Sequence, residues 1–103
     1  MDTWQPISAE ELNALLTVQI GDCSPEQREI FERCKVTPYL VPINRLGNAE
    51  AVFVVARVGD LVLYYEDVEE GFNISTLSPD GSIATPGYEQ WELGHALRHL
   101  AAA

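Results

Sequence analysis

Basic side chains are scarce in this chain: 6 lysines and arginines stand against 16 aspartates and glutamates, for a net charge of -10. A field of that sign opposes nucleic-acid phosphates and anionic lipid, so general electrostatic binding to either is not expected. Cysteine is nearly absent too, and 2 residues cannot build a disulfide framework. With no secretory n-region or h-region ahead of them, Cys23 and Cys34 read as free thiols, and the cytoplasm is the expected compartment. Long apolar runs are missing: the longest, Ala51 to Ala56, falls far short of the roughly 20 residues of a membrane helix. Glycine and proline, at 7 and 6 residues of 103, are too few for a fibrous or low-complexity chain. There is no Gly-x-Ser-x-Gly elbow, Walker loop, dinucleotide fingerprint or Cys-x-x-Cys zinc pair, so no cofactor is expected. These absences weigh against an enzyme without excluding one, because catalytic groups can converge from distant positions.

What remains is an ordinary globular composition, 47% hydrophobic and 21% charged, in a length that suits one domain. Ser8 and Glu11 form a capping box with Ile7 placed to staple onto Leu12, and Leu12, Leu15, Leu16 and Ile20 follow at helical spacing until Gly21. Ser24, Pro25 and Gln27 open a second helix, with Ile30, Phe31 and Cys34 on its apolar face and an end near Lys35. Val36, Tyr39, Val41 and Ile43 then read as an extended strand interrupted by Pro38 and Pro42, which confine it to a sheet edge. Glu50 to Val58 is almost continuously apolar, as expected of a central strand covered on both faces. Gly59 and Asp60 make a two-residue hairpin to a strand from Leu61 to Asp67, and Phe72 to Leu77 pairs onward. Ser78, Pro79, Asp80 and Gly81 spell a type I turn leading to a short strand at Ser82 to Ala84. Thr85 and Pro86 would then open a last helix running to about Leu100. The order predicts an α+β fold: two N-terminal helices, an antiparallel meander of four to five strands, and one C-terminal helix packed on the sheet.

Three groups of residues invite a functional reading. Within a last helix starting at Thr85, Leu93, Ala96, Leu97 and Leu100 would share one stripe, with Tyr88, Trp91, His95 and Arg98 nearly opposite. Trp, Tyr and Arg dominate binding hot spots, so that second face suits a protein partner, whereas its plain reading is burial of Trp91 near Trp4. Glu66, Asp67, Glu69 and Glu70 crowd one strand-to-strand turn, which can steer a basic partner or simply be solvated. Glu92, His95 and His99 have spacing that permits a metal site, but positive side chains also suit a helix C-terminus, and no metal is assigned. Cys23 precedes a capped helix, though Asp22 beside it works against a reactive thiolate; Cys34 is the better core candidate. Asn73-Ile74-Ser75 matches a glycosylation acceptor only by coincidence in a chain without a secretory signal.

Val68-Glu69-Glu70-Gly71-Phe72-Asn73-Ile74-Ser75-Thr76-Leu77-Ser78-Pro79-Asp80-Gly81 resembles an acidic-aromatic strand and turn of small bacterial immunity proteins of polymorphic toxin systems. The resemblance implies a cytoplasmic, non-catalytic protein that neutralises a toxin by binding it, with an acidic surface against a basic nuclease domain. It carries no functional residue across. The leading expectation is a small acidic interaction module that occludes a basic protein partner, as a monomer or homodimer, with no nucleic acid and no membrane involved. Its alternatives are a homodimeric structural protein and a small metal-dependent enzyme built on Glu92, His95 and His99.

Overall fold

The computed structural model describes residues 7–45, 47–68, 70–87 and 89–102. Its elements run α1 (Ala9–Gly21), α2 (Pro25–Cys34), β1 (Lys35–Arg45), β2 (Asn48–Val58), β3 (Leu61–Glu66), β4 (Gly71–Thr76) and α3 (Leu93–Ala102). Among the described residues the four strands form one antiparallel sheet in the order β1-β2-β3-β4, so the fold is α+β with four strands and no fifth.

The N-terminal helices start where their caps require. Ser8 Oγ accepts from Glu11 N–H while the Glu11 carboxylate accepts from Ser8 N–H, and Ser24 and Gln27 repeat the arrangement for α2. The Ser8 N–H, with help from its hydroxyl, holds the Glu11 carboxyl below its ordinary pKa. Gly21 ends α1 without entering the left-handed region. Asp22 N–H and Cys23 N–H instead satisfy carbonyls of the last turn, and the Arg28 guanidinium reaches across from α2 to Ile20 O and Gly21 O.

β1 lies at the sheet edge as its prolines predict, with a register irregularity between Lys35 and Tyr39 that takes in Pro38. β2 is covered on both faces, as its apolar run predicts, and carries one irregularity that the run does not announce. Its register against β3 slips between Val54 and Ala56, so one extra residue bulges and two successive side chains, Val55 and Ala56, join the same core. That core gathers Leu63, Tyr65 and Phe72 from the sheet under Leu12, Leu16, Ile30, Phe31, Leu93, Ala96, Leu97 and Leu100 from the helices. The opposite face holds Val41, Ile43, Val52, Val54, Val62 and Tyr64, covered by Leu77 and Ile83.

Both predicted tight turns form. Gly59 has φ +60 between Val58 and Leu61, and Gly81 has φ +85 with its N–H on Ser78 O. Residues 82–84, however, make only an isolated bridge from Ile83 to Leu77, with Ile83 N–H donating to Pro42 O, so no strand exists there.

The last helix starts at Leu93, not at Thr85. A helix opening at Pro86 would leave its first N–H groups without intrahelical partners, and this segment is instead bonded to β4 and its neighbours. Ala84 N–H donates to Thr76 O, Thr85 N–H to Ser75 Oγ, Gly87 N–H to the Tyr64 hydroxyl and Glu89 N–H to Asn73 Oδ1. Asn73 Nδ2 returns a bond to Glu89 O. The first turn of α3 is then sealed from the far end of the sequence, with Leu93 N–H on Gln19 Oε1. Within the true helix the predicted stripe of Leu93, Ala96, Leu97 and Leu100 is fully buried.

Candidate functional site

The backbone bridge between Phe72 and Trp91 organises the surface of interest. Phe72 N–H donates to Trp91 O at 2.9 Å, laying residues 89–91 alongside the start of β4. The approach is close enough that a Cβ on Gly71 would collide with Gln90 Cα and its carbonyl carbon. The acidic β3–β4 turn and Trp91, predicted as separate candidates, are therefore neighbours.

Trp91 is half-buried at the edge of a cleft of about 430 Å³ between the end of α1, the start of α2 and the start of α3. Gln19, Asp22, Cys23, Gln27, Glu92 and His95 are among its lining residues, and among the described residues no lysine or arginine lines it. The Trp91 ring stacks on His99, with centroids 4.4 Å apart and planes 9° from parallel, and meets His95 edge-on at 5.2 Å. His95 and Arg98 are exposed on α3.

The predicted grouping of Tyr88, Trp91, His95 and Arg98 on one helical face does not hold. Trp91 precedes the helix, and its proximity to His95 comes from the β4 bridge and not from helical periodicity. Tyr88 and Glu69 lie outside the described residues, as does Trp4.

The acidic turn divides by environment. Glu66 is fully buried at the end of β3 and accepts from Val68 N–H, so it belongs to the interior and is not part of a charged surface. Asp67 is partly buried and accepts from Ile7 N–H at 2.9 Å, tying the entry of α1 to the sheet. Glu70 is exposed, with φ +57 as the turn reverses. Burial raises the Tyr65 hydroxyl pKa, and the nearby charges of Glu70 and Asp67 raise it further.

The metal-site alternative finds no support in a three-residue cluster: among the described residues no group of three or more His, Cys, Asp and Glu side chains can hold an ion. Glu92 faces the cleft, while His95 and His99 turn their Nε2 atoms toward each other. Asn73, in the acceptor-like tripeptide, is buried and bonded at both ends of its amide to residue 89.

The two cysteines exchange their predicted places. Cys23 is buried and Cys34 only partly so, because Cys23 lies in the corner between α1 and α2 that faces α3. Burial pushes the Cys23 thiol pKa up; Arg28 opposes this, and Asp22 and Glu92 add to it. A neutral, shielded thiol is a poor nucleophile. Alkylation of the folded protein by iodoacetamide near neutral pH should modify Cys34 severalfold faster than Cys23, as read by peptide mapping. Faster labelling of Cys23 would contradict its placement.

A second cleft of about 490 Å³ lies on the other side of the sheet, between Tyr39, Arg57, Asp60 and the 77–81 turn. Its guanidinium is already engaged by Gly59 O and the Tyr39 hydroxyl, which makes it a structural strut. Among the described residues no helix is long and apolar enough to cross a membrane. No protein-family model, curated protein or solved structure matches the chain.

Proposed function

We propose that this protein is an interaction module that binds a basic protein partner through the Trp91 cleft and the acidic turn beside it, and acts by occlusion. The observation that carries this reading is the Phe72–Trp91 bridge, which brings the segment bearing the half-buried indole alongside the end of the acidic turn. Exposed Glu70 and Glu89 flank the bridge, and Asp22 and Glu92 lie at the cleft. A lysine or arginine entering there would meet an indole and carboxylates, with the nearby Arg28 already held by Ile20 O and Gly21 O, a combination that favours Arg over Lys because a guanidinium also stacks. The net charge of -10 would raise the encounter rate, and desolvated contact with Trp91 would set residence time. The resemblance of residues 68–81 to immunity proteins is compatible with such a role and would make the partner a basic toxin domain.

The test is capture from the source lysate at low and moderate salt by the wild type and by a Glu70→Lys, Glu92→Lys variant, with binding kinetics on whatever is retained. Both substituted positions are exposed, so folding should survive, and circular dichroism checks it. The expected result is a basic protein whose association slows by about 10-fold or more at low salt in the variant, in line with electrostatic steering. Trp91→Ala should instead speed dissociation. An acidic partner, or rates indifferent to all three substitutions, would remove this surface from the proposal.

A further inference from the structure

The His95 and His99 Nε2 atoms approach to 3.2 Å on the exposed side of α3. The two residues are one helical turn apart, so a single helix face supplies both. The geometry points to a two-histidine binding site for a divalent transition-metal ion, one per chain, at these Nε2 atoms. For two imidazole nitrogens at the usual 2.0–2.1 Å from zinc, a separation of 3.2 Å corresponds to an N–metal–N angle of about 100°, between square and tetrahedral values.

Three features favour the site. The Trp91 indole lies flat against His99 at 4.4 Å, which restricts rotation of that ring and lowers the ordering cost of coordination. The net charge of -10 favours the approach of any cation. Both rings are exposed, so water can fill the remaining coordination positions. A neutral imidazole has one nitrogen lone pair, and coordination by this pair requires it to lie on Nε2 of both rings. The tautomer with hydrogen on Nδ1 of each ring presents both Nε2 lone pairs to the ion. Imidazole donors of this kind suit Cu²⁺, Ni²⁺ and Zn²⁺, with Cu²⁺ bound most tightly and Mg²⁺ or Ca²⁺ hardly at all.

The inference rests on the histidine pair alone and does not depend on the proposed protein partner. Isothermal titration of the untagged full chain with Zn²⁺ and Cu²⁺, in a non-chelating buffer, should give one ion per chain. Losing either histidine removes the chelate, so His95→Gln and His99→Gln should each weaken binding on the order of 100-fold, whereas Glu92→Gln should leave it nearly unchanged. In a Trp4→Phe background, Cu²⁺ should quench Trp91 emission, and the copper electron paramagnetic spectrum should carry coupling to two nitrogens. The quench should vanish with His99→Gln. Binding that survives in the His95→Gln, His99→Gln double variant, or no binding at millimolar Zn²⁺ and Cu²⁺, would overturn the assignment. Both rings are exposed and outside the core, so loss of binding in the variants cannot be mistaken for loss of fold if circular dichroism is unchanged.

Discussion

Replacing Phe72 with alanine should cost about 3–5 kcal/mol in urea unfolding, the range for deleting a buried phenylalanine ring. The ring is fully buried, meets Tyr65 edge-on at 5.1 Å and lies in the core that the sheet shares with all three helices. Its own N–H holds Trp91 O, so the cavity would open directly beneath the proposed binding surface. Against a usual total of about 5–15 kcal/mol, such a loss would leave a chain this short barely folded. Phe72→Leu should cost much less by keeping most of the volume. A cost below about 1 kcal/mol for Phe72→Ala would mean that the ring does not fill the space assigned to it.

Gly71→Ala should destabilise by about 1–3 kcal/mol or more, although it adds only one carbon. The new Cβ would collide with backbone atoms of Gln90 and come within 2.9 Å of Glu89 O, and backbone cannot swing aside as a side-chain tip can. The segment 89–91 must then retreat from β4. For a chain of this size that corresponds to a fall in Tm of roughly 4–8 °C per kcal/mol, with a change in Trp91 emission as its stack on His99 loosens. Gly59→Ala is the informative control. No atom lies near its Cβ, so strain there comes only from φ +60 and should leave Trp91 undisturbed. An alanine at position 71 that melts with the wild type would refute the close approach on which the proposed surface depends.

The two N-terminal helices, the hairpin at Gly59 and the turn at Gly81 were legible because each is specified within a few residues. Caps, prolines and turn glycines act on their own backbone, so their signals do not wait for the rest of the chain. The last helix shows the opposite case. Thr85-Pro86 is a sound local start, yet residues 84–89 gain more by bonding to Ser75, Tyr64 and Asn73 than by closing a first helical turn, which costs several fixed dihedrals per hydrogen bond. The same override misplaces Trp91 on a helical face while still bringing it to His95.

The run of acids around Glu66 predicts a surface carboxylate, yet such a pattern cannot reveal which of them closes a buried strand. Cys23 and Cys34 exchanged places because burial at a helix corner depends on where α3 crosses, not on helical spacing within α2. The bulge at Val55 likewise has no composition cue in a run that is apolar throughout.

By itself, then, the sequence determined the α+β order of elements, the edge position of β1, the buried stripe of α3 and the acidic balance, since periodicity, proline and charge are properties of the chain alone. Only the tertiary structure decided where α3 begins, which acids reach solvent, and that Trp91 stands beside both the acidic turn and the histidine pair. Those depend on hydrogen bonds between residues as far apart as Gln19 and Leu93, and on a backbone contact that only Gly71 permits. Free energies of that kind are set by partners distant in the chain, which no local pattern encodes.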